Sequence, residues 1–197
     1  MRENQHHDMK RVAVFCGSTI GARSVYATET HRLGEGLVRR GLGLVYGGGH
    51  VGLMGVLADA VVKAGGSVIG VIPAMLVEKE LAFDGGIDLR IVTTMHERKA
   101  LMAELADGFI ALPGGFGTLE EFSEMVTWAQ LGLHQKPCAL LNCEGFFDPF
   151  LAFLDCQVAQ GFVAPHTRAL VRVAHDPESL LDDFVAALTP GVSSNTV

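Results

Sequence analysis

Short apolar runs recur along the chain, each followed by a glycine-rich or polar turn and then by apolar positions at helical spacing. The first run, Arg11-Val12-Ala13-Val14-Phe15, ends in Cys16-Gly17-Ser18. Equivalent runs at 42–46, 67–72, 89–93, 109–112, 137–141 and 170–173 bring the predicted strands to seven. Helical patterns at 24–40, 52–64, 96–106, 118–131, 147–160 and 177–188 separate or follow them. Gly41 is a natural stop for the first helix and Gly65-Gly66 for the second, while Asp176-Pro177-Glu178 opens the last. The stretch 74–88 is less regular and reads as a loop with one helical turn.

Strands that are apolar on both faces and alternate with helices must be buried from both sides. The expected fold is therefore α/β, a Rossmann-like, doubly wound, three-layer αβα sandwich with a mainly parallel sheet of about seven strands. One nucleotide-binding domain is expected over 11–190, with flexible ends at 1–10 and 191–197. No repeat or linker interrupts it.

Composition narrows the function. Of 197 residues, 49% are hydrophobic, which excludes general disorder, and only 19% are charged, below the usual ~25%. Few charges leave room for a further surface buried in an oligomer. The net charge of −7, with Arg39-Arg40 as the one local basic cluster, argues against a nucleic-acid partner. No apolar run approaches the ~18 residues of a membrane span, and the polar start lacks a secretory signal. Cys16, Cys138, Cys143 and Cys156 show no Cys-x-x-Cys spacing, so reduced thiols in the cytoplasm are expected, without a zinc site.

In such folds ligands sit where the strands end. Gly47-Gly48-Gly49-His50-Val51-Gly52 satisfies G-x-G-x-x-G, with amides free to approach an anion. Dinucleotide binding would also want an acid at the end of the next strand, where this chain has Val71-Ile72-Pro73. The plain alternative is that these glycines only let turn and helix pack closely.

Pro113-Gly114-Gly115-Phe116-Gly117-Thr118-Leu119-Glu120-Glu121 is the richer segment. Its glycines and Thr118 suit a phosphate cradle at a helix N-terminus, and no Walker lysine is present to hold a triphosphate. Thr118 and Glu121 also match a T-x-x-E capping box, which alone would explain the second acid. The other reading is that Glu121 faces a nucleotide's sugar, where an oxocarbenium-like centre needs a carboxylate. Met95-His96-Glu97-Arg98-Lys99 places two cations at a helix start, against the dipole, which suggests an anionic partner. His96 has no second histidine at ligand spacing, and Glu80 taken alone reads as a surface acid.

Together, Gly47-Gly48-Gly49-His50-Val51-Gly52-Leu53-Met54-Gly55, Met95-His96-Glu97-Arg98-Lys99 and residues 113–121 resemble the LONELY GUY family. These are cytokinin riboside 5′-monophosphate phosphoribohydrolases, often labelled lysine decarboxylase-like. Thr127-Trp128-Ala129-Gln130-Leu131-Gly132 and Lys136-Pro137 extend the likeness, which covers 11–163. The resemblance implies hydrolysis of the N-glycosidic bond of a nucleoside 5′-monophosphate, AMP or N6-prenylated AMP, to free base and ribose 5-phosphate.

By that likeness Arg98 and Glu121 are catalytic, and Glu80, Lys99, Thr127 and the run Gly114, Gly115, Phe116, Gly117, Thr118, Leu119 and Glu120 contact substrate. Ser18, Gly48 and Gly49, at the ends of the first two strands, complete the expected contacts. Amides of Gly115, Gly117 and Thr118 would bind phosphate, Glu121 would stabilise the oxocarbenium and orient water, and Arg98 would partner Glu121 and assist the departing base. No metal and no cofactor is expected, and a homodimer is. Of the lysines only Lys99 sits near a phosphate loop, but the chain is small and nothing marks a substrate-amine site, so the decarboxylase label is rejected. The runner-up is a non-catalytic nucleotide or molybdenum-cofactor carrier, which would not require the Arg98–Glu121 pair.

Overall fold

Alternation within the apolar runs decides the layers. In the first run Val12 and Val14 enter one core and Ala13 and Phe15 the other. A computed structural model, describing residues 9–77 and 85–188, shows what those two faces bury. Its strands are β1 (Arg11–Phe15), β2 (Gly43–Tyr46), β3 (Val68–Pro73), β4 (Asp88–Val92), β5 (Gly108–Ala111), β6 (Cys138–Leu141) and β7 (Val171–Ala174). The helices are α1 (Ser24–Arg39), α2 (Gly52–Lys63), α3 (Met95–Leu105), α4 (Phe116–Gln130), α5 (Asp148–Ala159), α6 (Pro165–Arg168) and α7 (Pro177–Leu188). Single 3-10 turns occupy Ala74–Leu76 and Cys143–Gly145.

The strands form one wholly parallel sheet in the order β4-β3-β2-β1-β5-β6-β7. Leu33 and Leu37 of α1, Leu53 and Leu57 of α2, and Leu181 and Phe184 of α7 cover one face. Met102 of α3, Phe122 and Met125 of α4, and Phe147 just before α5 cover the other. Each of these large side chains, fully buried, stabilises the fold by about 1.5–3 kcal/mol. The α/β three-layer expectation is met. The basic cluster Arg39-Arg40 is neutralised by Glu178 and Asp182, which ties α1 to α7.

Several boundaries differ from expectation. Helix α4 begins at Phe116, not at residue 118, because two glycines free the chain to turn directly after β5. Strand β4 is an edge strand with Asp88 and Ile91 exposed, so it is not apolar on both faces. An edge needs polar blunting more than a second core face. Helix α6 and the turn at Cys143–Gly145 have no signature at this length. The expected flexible ends lie largely outside the described residues.

Because β1 pairs with β2 on one side and β5 on the other, the winding reverses there. The crevice at the carboxyl ends of β1 and β5 is the place such a sheet reserves for a ligand.

Candidate functional site

A cavity of about 300 Å³ opens at that crevice. Phe15, Cys16, Gly17 and Ser18 line it from β1, Gly47 from β2, Met95, Arg98 and Met102 from α3, and Gly115, Phe116, Gly117, Thr118, Glu120 and Glu121 from α4. Small-molecule sites span ≈300–1,000 Å³, so this one holds a small ligand or part of a larger one.

The loops around it are held to one another through backbone. Gly17 N–H donates to the Pro113 carbonyl (3.0 Å), and Leu53 N–H to the Gly17 carbonyl (3.0 Å). At the start of α4 the first helical bond runs from Leu119 N–H to the Gly115 carbonyl (3.2 Å). The amides of Phe116, Gly117 and Thr118 thus precede the intrahelical ladder, and no side chain caps them. Their residues line the cavity with the helix dipole behind them, an arrangement of the kind that can receive an anion. A Cβ on Gly114 would lie 2.1 Å from Thr118 Oγ1, so only glycine lets the threonine tuck beneath the turn.

The T-x-x-E at Thr118 is not a capping box. With Gly115 at the cap, Glu121 lies well inside α4, two positions past the first turn. The working box belongs to α3: Thr94 Oγ1 accepts from Glu97 N–H (3.1 Å), and Glu97 Oε2 accepts from Thr94 N–H (3.3 Å) and Thr93 N–H (2.8 Å). That box fixes the register of the next residue, Arg98.

Arg98 is only 6% exposed. Its Nε donates to the Val71 carbonyl (3.1 Å) and its Nη2 to the Gly47 carbonyl (3.2 Å), bridging β3 and the end of β2. Nη1 lies 3.7 Å from Glu121 Oε1, an ion pair without hydrogen-bond contact. Glu121 is 8% exposed. A charged pair this buried, at a cavity and on two different elements, is positioned for chemistry. The cations of α3 do have anionic partners, but they are this chain's own carboxylates.

Lys99 is buried beneath α4, where its ammonium pairs with Glu120 and with Glu124 (2.9 Å). Those acids hold its pKa above the ordinary lysine value despite burial, so it stays charged and fixes Glu120 at the cavity rim. At the floor, burial chiefly, with the Glu121 charge nearby, pushes the Cys16 thiol far up and keeps it neutral.

The structure gathers Arg98, Glu121, Ser18, Gly115, Phe116, Gly117, Thr118 and Glu120 at one cavity. It places the other expected contacts elsewhere. Leu119 packs into the core under α4, and Gly114 lines a neighbouring cleft with Thr19, Ile20 and Tyr26. Of the first glycine loop it is Gly47 that reaches the cavity, whereas Gly48 and Gly49 are buried beside it. A Cβ on Gly47 would lie 2.1 Å from Arg98 Nη2, so that glycine is there for the arginine. Thr127 lines a separate groove of about 290 Å³ between α4, α5 and α6, with its hydroxyl on the Ser123 carbonyl (2.8 Å). Glu80 lies outside the described residues. Sequence reasoning missed Cys16, Met95 and Leu76 as lining residues, although Cys16 directly follows the strand at the winding reversal. No group of three His, Cys, Asp or Glu side chains able to hold a metal occurs among the described residues.

Comparison with known proteins adds a name to this geometry. The family model described as "Possible lysine decarboxylase" matches residues 54–184. The cytokinin riboside 5′-monophosphate phosphoribohydrolase LOG of Oryza sativa subsp. japonica is 48% identical over 186 residues, 93% of this chain and 77% of that protein. Its Arabidopsis thaliana counterpart LOG1 is 47% identical over 179 residues, covering 89% and 84%. Among solved structures, the molybdenum cofactor binding protein of Rippkaea orientalis has a TM-score of 0.69 at 22% identity, covering 93% and 99%. The Moco carrier protein of Chlamydomonas reinhardtii has a TM-score of 0.67 at 23% identity, covering 91% and 97%. At those identities the two structures share the fold alone. The curated relatives share nearly half of all residues along most of both chains, and by that measure the chain belongs to the LOG family of cytokinin riboside 5′-monophosphate phosphoribohydrolases.

Proposed function

We propose that this protein is a phosphoribohydrolase that cleaves the N-glycosidic bond of a nucleoside 5′-monophosphate, a cytokinin nucleotide or AMP, to free base and ribose 5-phosphate. The observation that carries this reading is the buried Arg98–Glu121 pair beside an uncapped helix N-terminus in one cavity. The phosphate rests on the amides of Gly117 and Thr118. Glu121 faces the sugar, where its charge stabilises the oxocarbenium-like centre and directs water to it. Arg98, held by two carbonyls, assists the departing base without reorganising. Glu120, fixed by Lys99, stands at the rim within the range of the ribose hydroxyls.

A decarboxylase working through a lysine Schiff base fits poorly. Lys99 is kept protonated by its two acids. Burial does lower the Lys136 pKa, but its ammonium donates to the Ala103 carbonyl (2.7 Å) beside the start of β1, at the opposite edge of the sheet.

The same proposal extends to the setting. Helix α5 leaves Phe150 and Leu154 only half-buried against the core and Phe153 exposed, and these border the groove that contains Thr127. That supports a homodimer closed across α4 and α5. Free cysteines support a reducing, cytoplasmic location. Among the described residues no helix is long and apolar enough to cross a membrane. The substrate is a free nucleotide, since net charge −7 repels a polyanion.

The test is chromatography of the protein incubated with AMP, isopentenyladenosine 5′-monophosphate and the two nucleosides, beside Glu121→Gln. Base is released from the monophosphates only, and the variant loses at least 10²-fold in rate while still binding nucleotide. Nucleotide binding without base release by the wild type overturns the enzyme reading in favour of a carrier.

A further inference from the structure

The cavity has two chemically different ends. One is the amide cradle of α4, where added Cβ atoms on Gly115 and Gly117 would meet nothing. The other is apolar, formed by Met54, Leu76, Met95 and Met102 with Phe15. Met54 and Met102 are 6% and 1% exposed and belong to the two cores. Met95 is different. It is 36% exposed at the first position of α3, where the capping box needs nothing from it and an acid would suit the helix dipole better. Leu76, half-buried in the turn after β3, stands with it at the cavity.

The two ends meet at Arg98. Met95 Sδ lies 3.9 Å from Arg98 Nη1. Met54 Sδ lies beside Gly47, whose carbonyl accepts from Arg98 Nη2. One thioether therefore touches the guanidinium and a second lies close to it. With phosphate on the amides and the sugar between Glu121 and Arg98, the base has the thioether side left to it. Met95 and Leu76 offer no conventional donor or acceptor to read the exocyclic nitrogen of a purine, while polarisable sulfur packs well on aromatic rings and irregular alkyl groups. Whatever sorts a plain base from an alkylated one at this wall does so by apolar contact.

We infer that Met95 and Leu76 form the wall that meets the base and its N6 substituent, and that they set the preference for N6-prenylated AMP over AMP. This rests on the phosphoribohydrolase reading and adds the determinants of its specificity. Apolar pockets discriminate by about 10- to 200-fold per methylene. Truncating either side chain to a polar residue removes part of the cover over a branched tail and lowers the preference by about tenfold.

The experiment measures kcat/KM for isopentenyladenosine 5′-monophosphate and for AMP with wild type, Met95→Ser, Leu76→Ser and Met95→Leu. The quantity read is the ratio of the two. It falls about tenfold in both serine variants and stays within about twofold in Met95→Leu. An unchanged ratio, or both substrates losing by the same factor, overturns the inference, and a shift in Leu76→Ser alone overturns the part assigned to Met95. Thermal melts check folding, and Met95→Gln, of similar length, replaces the serine variant if that one unfolds. Titration of both nucleotides into the same variants on a Glu121→Gln background reads the ratio of Kd values. If the wild type releases no base from either nucleotide, the phosphoribohydrolase reading falls, and this titration still decides the wall by the same criterion.

Discussion

Arg98 directs its guanidinium at two backbone carbonyls and one carboxylate, and none of the three is readable from its neighbours in the chain. What the sequence does make legible is that cations at a helix start need an anion. The anion turned out to be Glu121 for one and Glu120 with Glu124 for the other. Residue type and spacing pointed to the segment, but whether Glu121 capped a helix or faced a cavity depended on where α4 begins. Gly117 lies two residues into that helix, with helical backbone and open space where a side chain would go. Gly117→Ala thus gives a prediction of opposite signs. The helix gains about 0.5 kcal/mol, a rise of about 1–2 °C in Tm. The methyl group occupies the phosphate cradle, and KM for AMP rises about tenfold, equivalent to about 1.4 kcal/mol. A calorimetric melt and a Michaelis–Menten series check it, and a raised Tm with unchanged KM refutes the cradle.

Two segments of this chain carry the same T-x-x-E spacing, Thr94 to Glu97 and Thr118 to Glu121, and only the first is a cap. The difference is what precedes them. Before Thr94, β4 ends at Val92 with no glycine to turn the chain early, and α3 starts at its own threonine. Before Thr118, Gly114 and Gly115 let the helix start early, so its glutamate is carried to the cavity. Periodicity located strands and long helices because their burial is two-sided and continuous. It missed α6 and the turn at Cys143–Gly145, which are too short to repeat a pattern. Removing the real cap with Thr94→Ala costs about 1 kcal/mol, read as a shift in the urea midpoint at constant m. Activity falls with it, because the same turn aims Arg98.

At the scale of the whole molecule, stability and assembly each have a marker. His134 packs its ring on Phe109, with centroids 5.2 Å apart, and its Nδ1 accepts from Lys136 N–H (3.1 Å). Burial, with the Lys136 charge beside it, lowers its pKa from 6.5. The unfolded chain binds a proton near 6.5 that the folded chain takes up only at lower pH, so stability is full above that value and declines as pH falls through it. Tm therefore drops as pH falls below about 6.5, and His134→Gln flattens that slope in a pH series of thermal melts. For the proposed dimer, Phe153, 58% exposed on α5, is the marker. Phe153→Lys places a charge in the groove, and light scattering after size exclusion reports a monomer where the wild type gives a dimer. A monomeric wild type at micromolar concentration removes this part of the proposal.

The wholly parallel sheet has one more consequence, for how the chain is made. Strand β1 has the next strand in the chain, β2, on one side, but its other neighbour is β5, and Val12 waits for Gly108. At about 5–20 residues per second the ribosome takes on the order of 5–20 s to deliver that partner. Throughout that interval a strand apolar from Val12 to Phe15 keeps one edge unpaired, the condition in which nascent chains recruit chaperones or aggregate. In the chain Arg98 precedes β5 and Glu121 follows it. The nascent chain therefore cannot bring the two together until its central strand has both neighbours.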